Sequence, residues 1–280
     1  MKHILLASDL APGSANALAR AIRIAAKDGA AIRIVHAAVE SGDPEGFPST
    51  HRRMLTEARI MAEELTDRPL DISGCISSAS PAEAILREAE AFDADLIVLG
   101  AHGEPLFREV VFGTIGTHVV RHSERPVLVV QNDASRPYSK VLVAIDDARS
   151  APAILASTLA VAPASEVFAV HAFYPSLAET LGGLDALDRE ETRQELELEK
   201  ILAAVGAGNG APMRSAEQHA IVETGEAMRV IMDETEALAP DLLAMGTRRR
   251  ATFLGSHAVD ALFWCPHDVL VVPEREAVSA

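Results

Sequence analysis

Asp95-Leu-Ile-Val-Leu-Gly100-Ala-His-Gly103, continued by Gly113-Thr114 and a helical pattern from Ile115 to His122, is the stretch that decides the reading of this chain. An apolar run of strand length leads into a glycine-spaced loop, and the loop leads into a helix. Glycine leaves no Cβ in the way of a close backbone approach. The helix N-terminus beyond it offers free N–H groups and a favourable dipole for an anion. No Lys follows the last glycine, so this is not a Walker A loop.

Working outward from it, the chain reads as one arrangement written twice. Ile4-Leu-Leu-Ala-Ser-Asp9 matches Val141-Leu-Val-Ala-Ile-Asp146, each followed by a serine (Ser14, Ser150) and an Ala-rich helix. Ile32-Arg-Ile-Val-His36 matches Val167-Phe-Ala-Val-His171. Long helices follow over about 48–66 and 185–205, then strands over Leu70–Ser77 and His219–Thr224, each with a further helix. The fourth strands are 95–100 and 241–246, the last helices open at Gly113-Thr114 and Gly255-Ser256, and the final strands are Val127–Val130 and Val269–Val272. Strands alternating with helices predict an α/β fold of two tandem doubly wound domains, each a five-stranded parallel sheet with right-handed crossovers. The polar join Asn132-Asp-Ala-Ser-Arg-Pro137 sets the domains at 1–133 and 138–280. In such sheets ligands lie beyond the carboxyl ends of the strands, where the strand order reverses. Asp9, His36 and Gly100 all fall at such ends.

The bulk composition excludes several classes. The formal charge of −16 speaks against nucleic acid and against anionic membrane surfaces as partners. The 49% apolar content suits sheets covered on both faces. The two cysteines, Cys75 and Cys265, form no CxxC pair, which fits a reducing compartment. The N-terminal apolar run is short and broken by Asp9, so it reads as a first strand and not a signal peptide. The expected location is cytoplasmic.

With these residues in place, the chain resembles the universal stress protein family as a tandem-domain member. The family fingerprint G-x2-G-x9-G-[ST] is met at Gly100, Gly103, Gly113 and Thr114. The flanking text to Val119-Val-Arg-His-Ser-Glu-Arg-Pro-Val-Leu-Val-Val130, the Asp ending strand one, the His ending strand two and Ser80-Pro81 also match. The resemblance implies a Rossmann-like, adenine nucleotide alpha hydrolase-like fold and ATP as ligand of the first half. Ala7 and Asp9 would border the adenosine, with Asp9 as acceptor, and Ala37 would offer its backbone to the adenine. Leu99 and Gly100 would line the ribose. Gly103, Gly113, Thr114 and Ile115 would hold the triphosphate, with Mg²⁺ leaning on phosphate oxygens and water. It further implies that the halves pair through their final strands as an intramolecular pseudo-dimer, with a further homodimer left open.

The second half departs from the fingerprint. Arg249 stands where the second glycine belongs, and Gly255 follows nine residues after Gly246 where Gly113 follows thirteen after Gly100. Nucleotide binding is therefore expected of the first half. Arg248-Arg249-Arg250 reads either as a solvated turn or as a clamp for a smaller anion. No Lys, arginine finger or clear general base accompanies the first loop, which argues against efficient hydrolysis; the resemblance implies a stress-response or regulatory nucleotide binder. A slow ATP hydrolase and an interaction module with a vestigial pocket are the alternatives. His102, His118 and His122 read as loop and helix-face residues. His171 and His219 would approach one another if strand two pairs with strand three, though without a third nearby ligand they are weak evidence for zinc, and Cys265 beside His267 is expected to pack. Glu40–Pro48 reads as a mobile loop that would cover the first pocket.

Overall fold

Ile4, Leu5 and Leu6 are buried without a polar break, as a strand paired on both edges and covered on both faces must be. The computed structural model describes residues 1–38, 47–101, 115–176, 183–208, 217–247 and 256–274. Within them the chain divides into two units, Met1–Pro137 and Tyr138–Ala280. In the first, the strands are β1 (His3–Ala7), β2 (Ala31–Ala37), β3 (Ile72–Ser77), β4 (Leu96–Gly100) and β5 (Val127–Val130). The helices are α1 (Ala15–Asp28), α2 (Phe47–Leu65), α3 (Pro81–Ala91) and α4 (Thr117–His122). The sheet runs β3-β2-β1-β4-β5, with every neighbouring pair parallel. Right-handed crossovers in this order put α1 and α2 on one face and α3 and α4 on the other. The helices of each pair touch one another accordingly.

The second unit repeats this design. Its strands are β6 (Lys140–Ala144), β7 (Glu166–Phe173), β8 (Gln218–Thr224), β9 (Leu242–Thr247) and β10 (Asp268–Pro273), in the order β10-β9-β6-β7-β8. Its helices are α5 (Ala151–Val161), α6 (Leu184–Gly208), α7 (Ala227–Leu238) and α8 (Ser256–Trp264). Among the described residues no helix is long and apolar enough to cross a membrane. Arg193 on α6 pairs with Glu190 and Glu197, as expected of a solvated face, while Leu198 and Leu202 are buried.

Several boundaries differ from the sequence expectation, each for a physical reason. β3 starts at Ile72 and not Leu70, because its partner β2 starts at Ala31 and the first bond of the ladder runs from Ile32 N to Asp71 O. Phe47 and Pro48 belong to α2 and not to a loop; proline is at home in a first helical turn. The rest of that expected loop, 40–46, lies outside the described residues. The last helix of the first unit begins at Thr117, preceded by a wider π-type turn at Ile115–Gly116.

The duplication extends to hydrogen bonds at both ends of the sheet. At the amino end, Asp95 Oδ2 accepts from Lys2 N (2.6 Å) and His3 N (3.1 Å). Its counterpart Asp241 Oδ2 accepts from Ser139 N (2.6 Å) and Lys140 N (2.9 Å). At the carboxyl end, His36 Nδ1 donates to Ser8 O (2.9 Å) and His171 Nδ1 to Ile145 O (2.8 Å). Within the first unit, the polar segment before Pro137 is tied down by α1. Arg20 donates to Arg136 O (2.8 Å) and Arg23 to Ala134 O (2.7 Å).

Two substitutions test this packing. Burial pushes the Asp95 carboxyl upward, but the two backbone donors outweigh it and hold it below the ordinary carboxylate range. Its contribution is therefore present at neutral pH and lost as pH falls through that depressed value. Asp95→Ala should cost about 1 kcal/mol in denaturant unfolding at neutral pH, with the penalty shrinking in acid. In the second unit, a Cβ on Gly246 would stand 2.9 Å from Ile154 Cδ1, so this glycine serves the contact of β9 with α5. Gly246→Val should destabilise the fold by about 1–3 kcal/mol through overpacking.

Candidate functional site

The order β3-β2-β1-β4-β5 leaves β1 as the strand where the direction of winding reverses. α1 leaves its carboxyl end on one face, and α4 approaches the end of β4 on the other. The two chains part there and a crevice opens. In the first unit that crevice encloses about 830 Å³, mouth included. Ala7, Ser8 and Asp9 form its floor where β1 ends. Val35 and Ala37 come from β2, Leu99 and Gly100 from β4. Pro81, Ala84 and Ile85 of α3 form one wall; Ser14, Ile115 and Gly116 complete the lining. His36, between Val35 and Ala37, points to Ser8 O instead, as strand alternation requires.

Of the residues that the sequence singled out, Ala7, Asp9, Ala37, Leu99, Gly100 and Ile115 are thus gathered around one crevice. Gly103, Gly113, Thr114 and His102 lie outside the described residues, as do Arg248–Arg250 and Gly255. The sequence reading missed the apolar wall from α3, whose signal is only the buried stripe Ala84, Ile85, Ala89.

The loop that presents Asp9 is held in one shape. Asp9 Oδ1 accepts from Ala11 N (3.0 Å), and Leu10 N donates to Ser8 Oγ (3.1 Å). Ser8 Oγ donates to Ser14 Oγ (3.1 Å), which donates to Ala11 O (2.9 Å). Leu10 takes φ +61°, a left-handed conformation that costs an L-residue about 1–2 kcal/mol. Local strain of this kind persists where surrounding bonds over-determine it, and it concentrates at binding sites. The Asp9 carboxylate is exposed at the crevice rim, with Oδ2 unengaged among the described residues.

The second unit fills the corresponding positions differently. α3 opens with Ser80-Pro81; its counterpart α7 opens with Glu226, whose carboxylate accepts from Met228 N (3.0 Å) and Arg229 N (2.8 Å). Those two N–H groups hold the Glu226 carboxyl below its ordinary range. His257, the counterpart of Ile115, brings Nδ1 to 3.9 Å from Glu226 Oε1. An internal carboxylate therefore caps α7, where α3 opens with the neutral Ser80-Pro81. A separate crevice of about 530 Å³ lies beside β6 and β7, lined by Asp146, Asp147, His171, Arg193 and Glu197 among others. Its carboxylates disfavour phosphate.

One further expectation is settled by the register. His171 pairs with Val222 and His219 with Phe168, so the two histidines do not meet. Neither cysteine is a nucleophile at neutral pH. Burial and then Glu88 push the Cys75 thiol up to about 11, and burial does the same for Cys265. Cys265 beside His267 therefore packs.

Comparison with known proteins agrees with this architecture. The model of the universal stress protein family matches residues 1–131 and again 137–273. A universal stress protein of Methanocaldococcus jannaschii is 33% identical over 96 residues, 32% of this chain and 59% of that protein. This chain thus spans little more than half of that relative. A universal stress protein of Thermus aquaticus is 34% identical over 136 residues, covering 46% of this chain and 98% of its own. The fold is that of a universal stress protein from Archaeoglobus fulgidus, with a TM-score of 0.72 at 18% identity, over 97% of this chain and 98% of the other. With both halves matched by the family model and both built as the same parallel sheet, the chain belongs to the universal stress protein family.

Proposed function

We propose that the first unit binds ATP in the crevice at the end of β1, and that the protein acts as a nucleotide-binding regulator of the stress response. The observation that carries this reading is the convergence of Ala7, Asp9, Ala37, Leu99, Gly100 and Ile115 on one crevice at the topological switch. Ala7, Val35, Ala37, Ile85 and Leu99 supply an apolar slot suited to a flat base. Backbone groups at the ends of β1 and β2 face its edge. The exposed Asp9 carboxylate accepts from a ribose hydroxyl. Gly100, Gly103, Gly113 and Thr114 then cradle the phosphates, and the turn at Ile115–Gly116 directs N–H groups to them. Mg²⁺ neutralises phosphate charge when bound, held by phosphate oxygens and water.

Asp9 is the sole titratable group in the described lining, and it serves the sugar end of the site.

Titration calorimetry of the whole chain with ATP should give one site. Gly113→Val places a branched side chain where phosphates approach the backbone, and should weaken ATP at least tenfold, about 1.4 kcal/mol, with the fold intact by circular dichroism. Gly255→Val, its counterpart, should leave affinity nearly untouched. Two equivalent sites, or equal losses from both variants, would contradict the reading.

A further inference from the structure

The amino end of β7 and β8 carries three ligating side chains on one face. Glu217 and His219 are two residues apart along an extended strand and therefore share a side. The register Val167↔Gln218 and Phe168↔His219 sets Glu166 beside Glu217, across the pair. One carboxylate oxygen of each glutamate and one imidazole nitrogen all lie within 4.8 Å of one another. His219 Nε2 is 3.0 Å from Glu166 Oε1. The imidazole is stacked on Phe168 at 4.6 Å and 17°, which fixes the plane of the ring.

We propose that Glu166, Glu217 and His219 form a divalent-cation site of the zinc class. An ion held at about 2.0–2.2 Å by imidazole nitrogen and carboxylate oxygen has ligand atoms about 3.4 Å apart. His219 Nε2 and Glu166 Oε1, at 3.0 Å, need to part only slightly to reach that separation. Glu217 is exposed, and its carboxylate lies within 4.8 Å of both. The mixed nitrogen and oxygen set suits zinc and neighbouring first-row ions over calcium and magnesium, which take oxygen alone. Three protein ligands leave a coordination position for water. Lys140 Nζ lies over the Phe168 ring at 5.8 Å and donates to Leu238 O (3.0 Å).

The first unit provides an internal comparison. At the corresponding positions it has Ala31, Arg33, Asp71 and Ser73. Arg33 there pairs with Glu88 (3.4 Å) and stands over Phe92 at 4.4 Å. The fold therefore builds this corner without a ligand set, and the trio is a property of the second unit alone. That comparison also supplies the variant. Glu166→Ala with His219→Ser installs the side chains that the same corner already accommodates in the first unit.

The test is a titration of the chelator-treated full-length protein with Zn²⁺ by calorimetry and with Co²⁺ by visible absorption. The wild type should take up one equivalent at this site, and the double variant should bind that equivalent at least tenfold more weakly. His118→Ala with His122→Ala, which removes the stacked pair on α4, should leave it unchanged. In the wild type, the His219 ring resonance, assigned by its loss in His219→Gln, should shift on adding Co²⁺. This readout does not depend on the double variant folding. Wild-type protein that fails to bind below millimolar zinc would overturn the proposal. So would a folded double variant that binds as tightly as wild type, or a His219 signal indifferent to cobalt.

Discussion

β1 hydrogen-bonds to β2 on one side and to β4 on the other, and the rest of the first unit is arranged by that double pairing. A strand paired on both edges, with helices above and below, has no solvated face, so its side chains must be apolar throughout. Winding outward from it in both directions leaves a gap at its carboxyl end that no crossover helix covers. Backbone polar groups at that gap are available to a ligand, and the side chains lining it come from four different elements. Asp9 stands there because the β1 strand ends there, and Leu10 is strained because the chain must turn back at once into α1.

The two units separate what this fold requires from what the first one adds. Asp95 and Asp241 both tie the start of their neighbouring strand, and His36 and His171 both bind the carbonyl that follows the central strand. These recur because the sheet needs them, whatever it binds. Gly246 also recurs, yet the contact of Ile154 accounts for it without a ligand. What does not recur is the chemistry of the crevice. His257 stands in the place of apolar Ile115, and Glu226, whose carboxylate caps α7, in the place of Ser80. One frame thus carries two differently lined crevices.

Strands were legible in the sequence because parallel, buried strands read as uninterrupted apolar runs, and the repeat doubled that signal. Asp9 and Gly100 were legible for the same reason, each closing a run; His36 closes one too, but its ring binds Ser8 O, and Ala37 and Leu99 came from the family resemblance. Register was not legible, since a strand carries no local mark of which neighbour residue it faces. The expected meeting of His171 and His219 failed on this point. Likewise Glu166 is 53 positions from its partner His219, and nothing near either residue announces the other. The start of α4 at Thr117 was not legible because the π-type turn at Ile115–Gly116 continues the helical periodicity ahead of it.

The most direct test of the central claim, that one switch-point crevice of the two holds the nucleotide, is to find where a reactive nucleotide attaches. Photolabelling with 8-azido-ATP, followed by peptide mapping of the full-length protein, reports the residues that surround the adenine. The account predicts label on peptides carrying Val35–Ala37 and Pro81–Ile85, abolished by excess ATP. Label that falls instead on the peptides carrying Ile145–Ala148 or Arg193–Ile201, or that divides evenly between the two units, would contradict it.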